Sequence, residues 1–175
     1  MNPPTLPRRR SVRLPGYDYR QSGAYFVTIC TFKRRCLLGK LIGNEIKLSS
    51  IGTIVENCWR AIPAVNQNAE LDAFVVMPNH LHGIIWIEPN TPNTDENKIH
   101  DACHPNAMSG SLGRTINLFK GACTRVLNEK PVLQNKRLWQ RGYYEHIIRD
   151  EQDLFRVRNY VMQNPIVLFI DEIGP

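Results

Sequence analysis

Residues 24–32 (AYFVTICTF) are aromatic, β-branched or small, and none is charged. Nine such residues in a row read as a buried β-strand. A strand buried in this way has to sit inside a packed domain, and the chain supplies the other elements. Segments 36–42 and 45–48 flank Gly43-Asn44, the composition of a two-residue hairpin turn. Segments 71–77 and 80–87 form a second pair of strands, joined at Pro78-Asn79, and 143–149 (YYEHIIR) a further one.

Helices fall between these strands. Ser49 or Ser50 caps the first, whose apolar residues Ile51, Ile54, Val55, Cys58, Trp59 and Ile62 share one face before Pro63 ends it. A second starts at Ser111 and carries Leu112, Ile116, Phe119, Cys123 and Val126 on one side. A third spans 150–163 and is stopped by Asn164-Pro165. The order predicts an α+β fold, a ferredoxin-like antiparallel sheet with helices packed mainly on one side.

The 175 residues suit one domain, placed over 21–170, after a basic extended arm at 1–20. Segment 88–110, with three prolines and four asparagines, is expected to be a mobile insertion. No stretch reaches the roughly 18 apolar residues of a membrane span. No apolar segment follows the early arginines, so no secretory signal is expected. Five cysteines at scattered spacings, with no CxxC pair, point to the reducing cytoplasm and away from a thiolate zinc module. His100, Cys103 and His104 lack the second pair that a zinc site needs.

The net charge of +6 is unevenly spread. Residues 1–40 hold nine Lys/Arg against one acid, and 101–149 hold eight against three, with an acidic stretch between them. Two basic blocks that meet in space would make a positive face suited to nucleic acid. Arg8, Arg9, Arg10, Lys33, Arg34 and Arg35 are candidates for phosphate contact, as are Arg114, Lys120 and Arg141. Trp139, Tyr143 and Tyr144 lie among these charges and offer stacking surfaces.

His80-Leu81-His82 is the sharpest local pattern. On a strand the two imidazoles share a face, as two legs of a divalent-metal site. A third alternating histidine is absent, since Ile84 stands there, which disfavours a histidine-triad hydrolase. On the last helix, Leu154, Phe155, Val157, Val161 and Met162 form one apolar arc. Tyr160 lies on the polar arc with Asp153, Arg156, Gln163 and Asn164. Asn164, one turn beyond Tyr160, offers an oxygen that could complete a site begun by the histidines. Such a site suits Lewis-acid work on a phosphate, with the tyrosine as nucleophile and Arg156 stabilising charge. His146, which alternates with Tyr144 and Ile148, reads as a structural histidine near the site.

MPNHLHG (77–83), LWQRGYYEHIIR (138–149) and NYVMQNP (159–165), with the opening GYDYRQSGAYFVTICTFKRRCLLG (16–39), resemble the REP-associated tyrosine transposases of the single-tyrosine HUH group. The resemblance runs over nearly the whole chain. It implies a metal-dependent single-stranded DNA endonuclease and strand transferase acting on hairpin-forming palindromic repeats. His80 and His82 would be the paired histidines, Tyr160 the nucleophile that forms a 5′-phosphotyrosine, and Mg²⁺ or Mn²⁺ the cofactor. Asn164 would be the third ligand, where many relatives carry glutamine, with Gln163 as the nearby alternative. A monomer is expected in preference to a homodimer, working at the nucleoid. The rival expectations are a hairpin-binding module that does not cut, and a phosphodiesterase that uses water as nucleophile.

Overall fold

The computed structural model describes residues 22–43, 45–88, 111–129 and 137–173, the last stretch without side chains beyond 164. The arm with Arg8, Arg9 and Arg10 lies outside the described residues. So do nearly all of the 88–110 segment and its His100, Cys103 and His104.

Strand β1 (Gly23–Cys30) leads through a 3-10 turn at Phe32–Arg34 into a hairpin of β2 (Gly39–Ile42) and β3 (Glu45–Leu48). Helix α1 (Ser50–Arg60) follows, with Ser49 as its cap: the hydroxyl accepts the Gly52 N–H at 3.1 Å. Pro63 stands in the first turn of a separate short helix, α2 (Ile62–Val65). Then come β4 (Ala69–Met77), β5 (His80–Ile87), α3 (Leu112–Asn128), β6 (Tyr144–Ile148) and α4 (Glu151–Ile173).

The main sheet has the order β4-β5-β1-β6, with every neighbouring pair antiparallel. Strand β5 therefore lies between β1 and β4, which run parallel and are joined through α1. This is the split β-α-β arrangement of the ferredoxin-like fold. The β2-β3 hairpin stands apart as its own two-stranded sheet.

Period-two alternation gives the main sheet two faces. Tyr25, Val27, Ile29, Leu81, Ile85 and Ile87 face one side, where they pack with Val55 and Trp59 of α1 and Ile116 and Phe119 of α3. Trp59 meets Phe119 edge-on at a centroid distance of 5.1 Å. The other face carries Ala24, Phe26, Ile84, Trp86 and Ile148, covered by Leu154, Val157 and Val161 of α4. Helices thus cover both faces: α1 and α3 one, α4 the other. No described helix is long and apolar enough to cross a membrane.

Gly83 lets α1 approach the sheet next to the paired histidines. A Cβ there would lie 2.3 Å from the Trp59 ring. Gly83→Ala is expected to displace Trp59 and to cost about 1–3 kcal/mol of stability. Urea unfolding followed by tryptophan fluorescence measures this, and an unchanged midpoint would mean that the ring moves freely.

Candidate active site

The same alternation places His80 and His82 on the α4 side of β5, with Leu81 buried on the other. Register fixes their neighbours: Thr28 of β1 lies across from His82, and Cys30 across from His80. The two Nε2 atoms are 2.9 Å apart. Each Nδ1 also has a partner, the Asn79 Oδ1 at 2.6 Å for His80 and the Thr28 Oγ1 at 2.8 Å for His82. His82 is 5% exposed and its ring stacks on Phe26 at 5.3 Å.

Burial disfavours the charged form of both imidazoles. It lowers the pKa of His80 to about 4, helped by the nearby Arg34 charge, and that of His82 to about 3, helped by His80. Near neutral pH both rings are uncharged and have lone pairs to offer a cation. Among the described residues no three His, Cys, Asp or Glu side chains converge as a metal cluster. A divalent ion between the two Nε2 atoms would therefore need an oxygen of another kind. Two neutral imidazoles side by side are a donor pair of the kind a divalent ion takes, and Asn164 is the buried amide on the neighbouring helix.

Tyr160 reaches this place from α4. Its ring meets His82 at 5.3 Å and Phe26 at 5.9 Å, both edge-on, while half of the residue stays exposed. The helix presents a face different from its apolar arc. Asp153, Val157, Val161 and Asn164 are buried, whereas Phe155 and Met162 are exposed. At 100° per residue the buried side is rotated by about a quarter turn from the apolar centre. The cause is the sheet surface, which offers His82 and His146 and therefore takes polar partners.

Asn164 is buried at 9% exposure, one turn beyond Tyr160, and Gln163 is exposed. The helix does not stop at Asn164-Pro165 but continues to Ile173. Pro165 removes one N–H from the ladder, and the helix tolerates that loss.

Two ion-pair clusters that the sequence did not reveal tie α4 to the sheet. In the first, Asp72 sits where the β4-β5 register shifts between Leu71 and Phe74. Its Oδ1 accepts from Arg158 Nε at 2.9 Å, and its Oδ2 from Arg158 Nη2 at 2.6 Å and Trp86 Nε1 at 3.1 Å. Arg158 holds the Asp72 carboxyl below the usual carboxylate range. In the second, Asp153 accepts from Arg156 at 2.7 Å and pairs with His146 Nε2 at 2.8 Å. Arg156 thus points its charge at Asp153, and His146 acts as a tie between β6 and α4.

The basic candidates are placed unequally. Lys33, Arg34 and Arg35 are exposed just after β1, and Arg34 lies close enough to His80 for its charge to be felt there. Arg141 is exposed and Arg114 half-buried. The Lys120 ammonium donates to the carbonyls of Gln140 at 3.2 Å and Gly142 at 2.5 Å, and burial lowers its pKa to about 8. Its first task is to hold the segment before β6.

Among known proteins, the chain is 36% identical over 168 residues to an uncharacterised protein of Haemophilus influenzae, covering 94% of this chain and 92% of that one. It is 26% identical over 151 residues to a second protein of that organism, provisionally named a REP-associated tyrosine transposase, covering 85% of this chain and 73% of the relative. Among solved structures, a REP-associated tyrosine transposase bound to a REP hairpin superposes with a TM-score of 0.62 at 17% identity. That match spans 91% of this chain and 76% of the other and shows a common fold. No family model matches the sequence.

Two outcomes follow from this geometry. In chelator, the metal-free protein should lose stability as pH falls from 6.5 towards 4, because the unfolded chain takes up protons that buried His80 and His82 refuse. Urea midpoints across that range should fall less for a His80→Asn/His82→Asn variant; an equal fall would assign the protons elsewhere. Asp72→Asn, which leaves Arg158 without its anion, should lower the thermal midpoint by a few degrees. It should also loosen α4, seen as faster amide exchange around Tyr160.

Proposed function

We propose, for a chain that belongs to the family of the REP-associated tyrosine transposases, that it cuts and rejoins single-stranded DNA at hairpin-forming repeats, with Tyr160 as nucleophile. The observation that supports this reading is the contact of Tyr160 with the paired histidines, where a half-exposed phenol stands against His82 and His82 in turn meets His80. A tyrosine used only for packing has no need of that company.

In the proposed reaction the Tyr160 Oη attacks a backbone phosphorus. A P–O bond to the tyrosine forms and the bond to the 3′ oxygen breaks. The phenol loses its proton, the 3′ oxygen gains one, and the strand remains joined to the protein through a 5′-phosphotyrosine. The freed 3′-OH can reverse the step by attacking the same phosphorus. His80 and His82 would hold Mg²⁺ or Mn²⁺, with Asn164 as third ligand and Gln163 as the alternative. When bound, the ion supplies Lewis-acid polarisation of the phosphate.

The remaining residues of the site orient and neutralise. Phe26 and His82, stacked on each other, both meet the Tyr160 ring edge-on from the sheet side, which would lower the entropy that the attack must overcome. Arg34, exposed and with its charge felt at His80, would neutralise a scissile phosphate. Lys33, Arg35, Arg114 and Arg141 would follow the backbone further out. Burial of Asn164 and exposure of Gln163 favour Asn164 as the ligand. The protein would act as a monomer at the nucleoid in the cytoplasm.

The test is a denaturing gel of the protein with labelled single-stranded hairpin DNA from beside its own gene, plus Mn²⁺. A labelled band at protein size is expected, absent in Tyr160→Phe and in EDTA. Tyr160→Phe should still retard the hairpin on a native gel. An adduct surviving in Tyr160→Phe would overturn the assignment. Retarded, uncut DNA with the wild type would favour the non-cutting hairpin binder.

A further inference from the structure

The contact between His80 and His82 sets a proton-counting problem that their neighbours resolve. Two nitrogen atoms 2.9 Å apart cannot both present lone pairs to each other, so one Nε2 carries a hydrogen and the other accepts it. Asn79 decides which. Its Oδ1 can only accept, so the 2.6 Å contact requires a hydrogen on His80 Nδ1 and leaves His80 Nε2 as the acceptor. The backbone that carries Asn79 is anchored, because its main-chain carbonyl accepts from the Thr31 N–H at 3.0 Å and the Thr31 hydroxyl at 2.9 Å. In the metal-free protein His82 therefore carries its hydrogen on Nε2. Its Nδ1 is bare and must accept from the Thr28 hydroxyl at 2.8 Å.

A cation bound by both Nε2 atoms demands the other arrangement at His82. The hydrogen has to leave Nε2, and the ring stays neutral only by taking one at Nδ1. Asn79 already holds His80 in the binding tautomer, so nothing changes there. At His82 the buried Nδ1 turns from acceptor to donor, and its partner must make the opposite change. A hydroxyl can do this by rotating about its C–O bond, whereas a carbonyl, carboxylate or ammonium cannot.

We infer that Thr28 is a positioning residue for metal binding, whose hydroxyl reverses its hydrogen bond so that His82 can move a proton from Nε2 to Nδ1 when a divalent cation arrives. This rests on the metal-dependent reading above. The proton count of the ring is unchanged, one hydrogen leaving Nε2 to solvent and one arriving at Nδ1. In the bound state the Nδ1–H donates to the Thr28 Oγ1, which fixes the ring plane behind its metal-facing nitrogen. The register pair Thr28–His82 is thus a functional contact across β1 and β5 as well as a structural one.

Long-range ¹H–¹⁵N spectra of the full chain report the imidazole tautomers directly. With chelator, His80 should appear as the Nδ1–H form and His82 as the Nε2–H form. With Zn²⁺ as a diamagnetic probe, both should appear as Nδ1–H. Thr28→Val keeps the shape and suits a strand, so it should fold, but its Mn²⁺ affinity by electron paramagnetic resonance should fall about tenfold. Thr28→Ser should restore it. A wild type that binds these ions but shows His82 as Nδ1–H in chelator would sink this inference alone. So would a Thr28→Val variant with undiminished Mn²⁺ affinity. A wild type that binds neither ion would instead overturn the metal-dependent reading itself.

Discussion

The pairing of β1 with β5 is the constraint on which the rest depends. In that register Val27, Ile29, Leu81 and Ile85 meet α1 and α3, while Phe26, Thr28, His82 and Ile84 meet α4. A slip of one residue would bring both histidines into the apolar layer under Trp59 and lift Leu81 out of it. Burial of large apolar side chains contributes about 1.5–3 kcal/mol each. The hydrophobic layer on one side therefore fixes which strand residues, the two histidines among them, face the other.

The opposite layer is built from another kind of contact. Few apolar residues join α4 to the sheet, and the two clusters around Asp72 and Asp153 supply the orientation that a greasy face would otherwise give. Each aspartate takes a partner from a strand and an arginine from the helix: Asp72 is on β4 with Trp86 beside it, and Asp153 is on α4 facing His146. Charge-assisted bonds of this sort, bidentate from Arg158 to Asp72, add geometric specificity as well as energy.

What was legible in the sequence follows the same division. The strands and the placement of the two histidines on one face came from periodicity, which governs the apolar layer, and residue type marked the caps, Ser111 and one of Ser49 and Ser50, of which the structure uses Ser49. The rotation of α4 was not legible. Its apolar arc includes Phe155 and Met162, which the structure leaves in solvent, because polar sheet residues chose the buried side. Asp72, Asn79 and Thr28 also escaped notice, since their importance lies in what faces them across strands. Asn79 had a signal, as it directly precedes His80 in the motif. Thr28 had none beyond being the hydroxyl-bearing residue in the middle of an apolar strand.

The turn after β1 has a further consequence. Lys33 and Arg34 are consecutive residues at φ of 58° and 52°, a conformation that costs residues with a side chain on the order of 1 kcal/mol or more. Glycine at either position would make the turn easier to form, so mutational drift towards a more stable fold runs towards glycine there. The same drift would strip positive charge from the edge of His80. A lysine and an arginine in so uncomfortable a turn trade foldability for charge, and a chain with glycines in this loop would be the sturdier protein with the less positive edge beside His80.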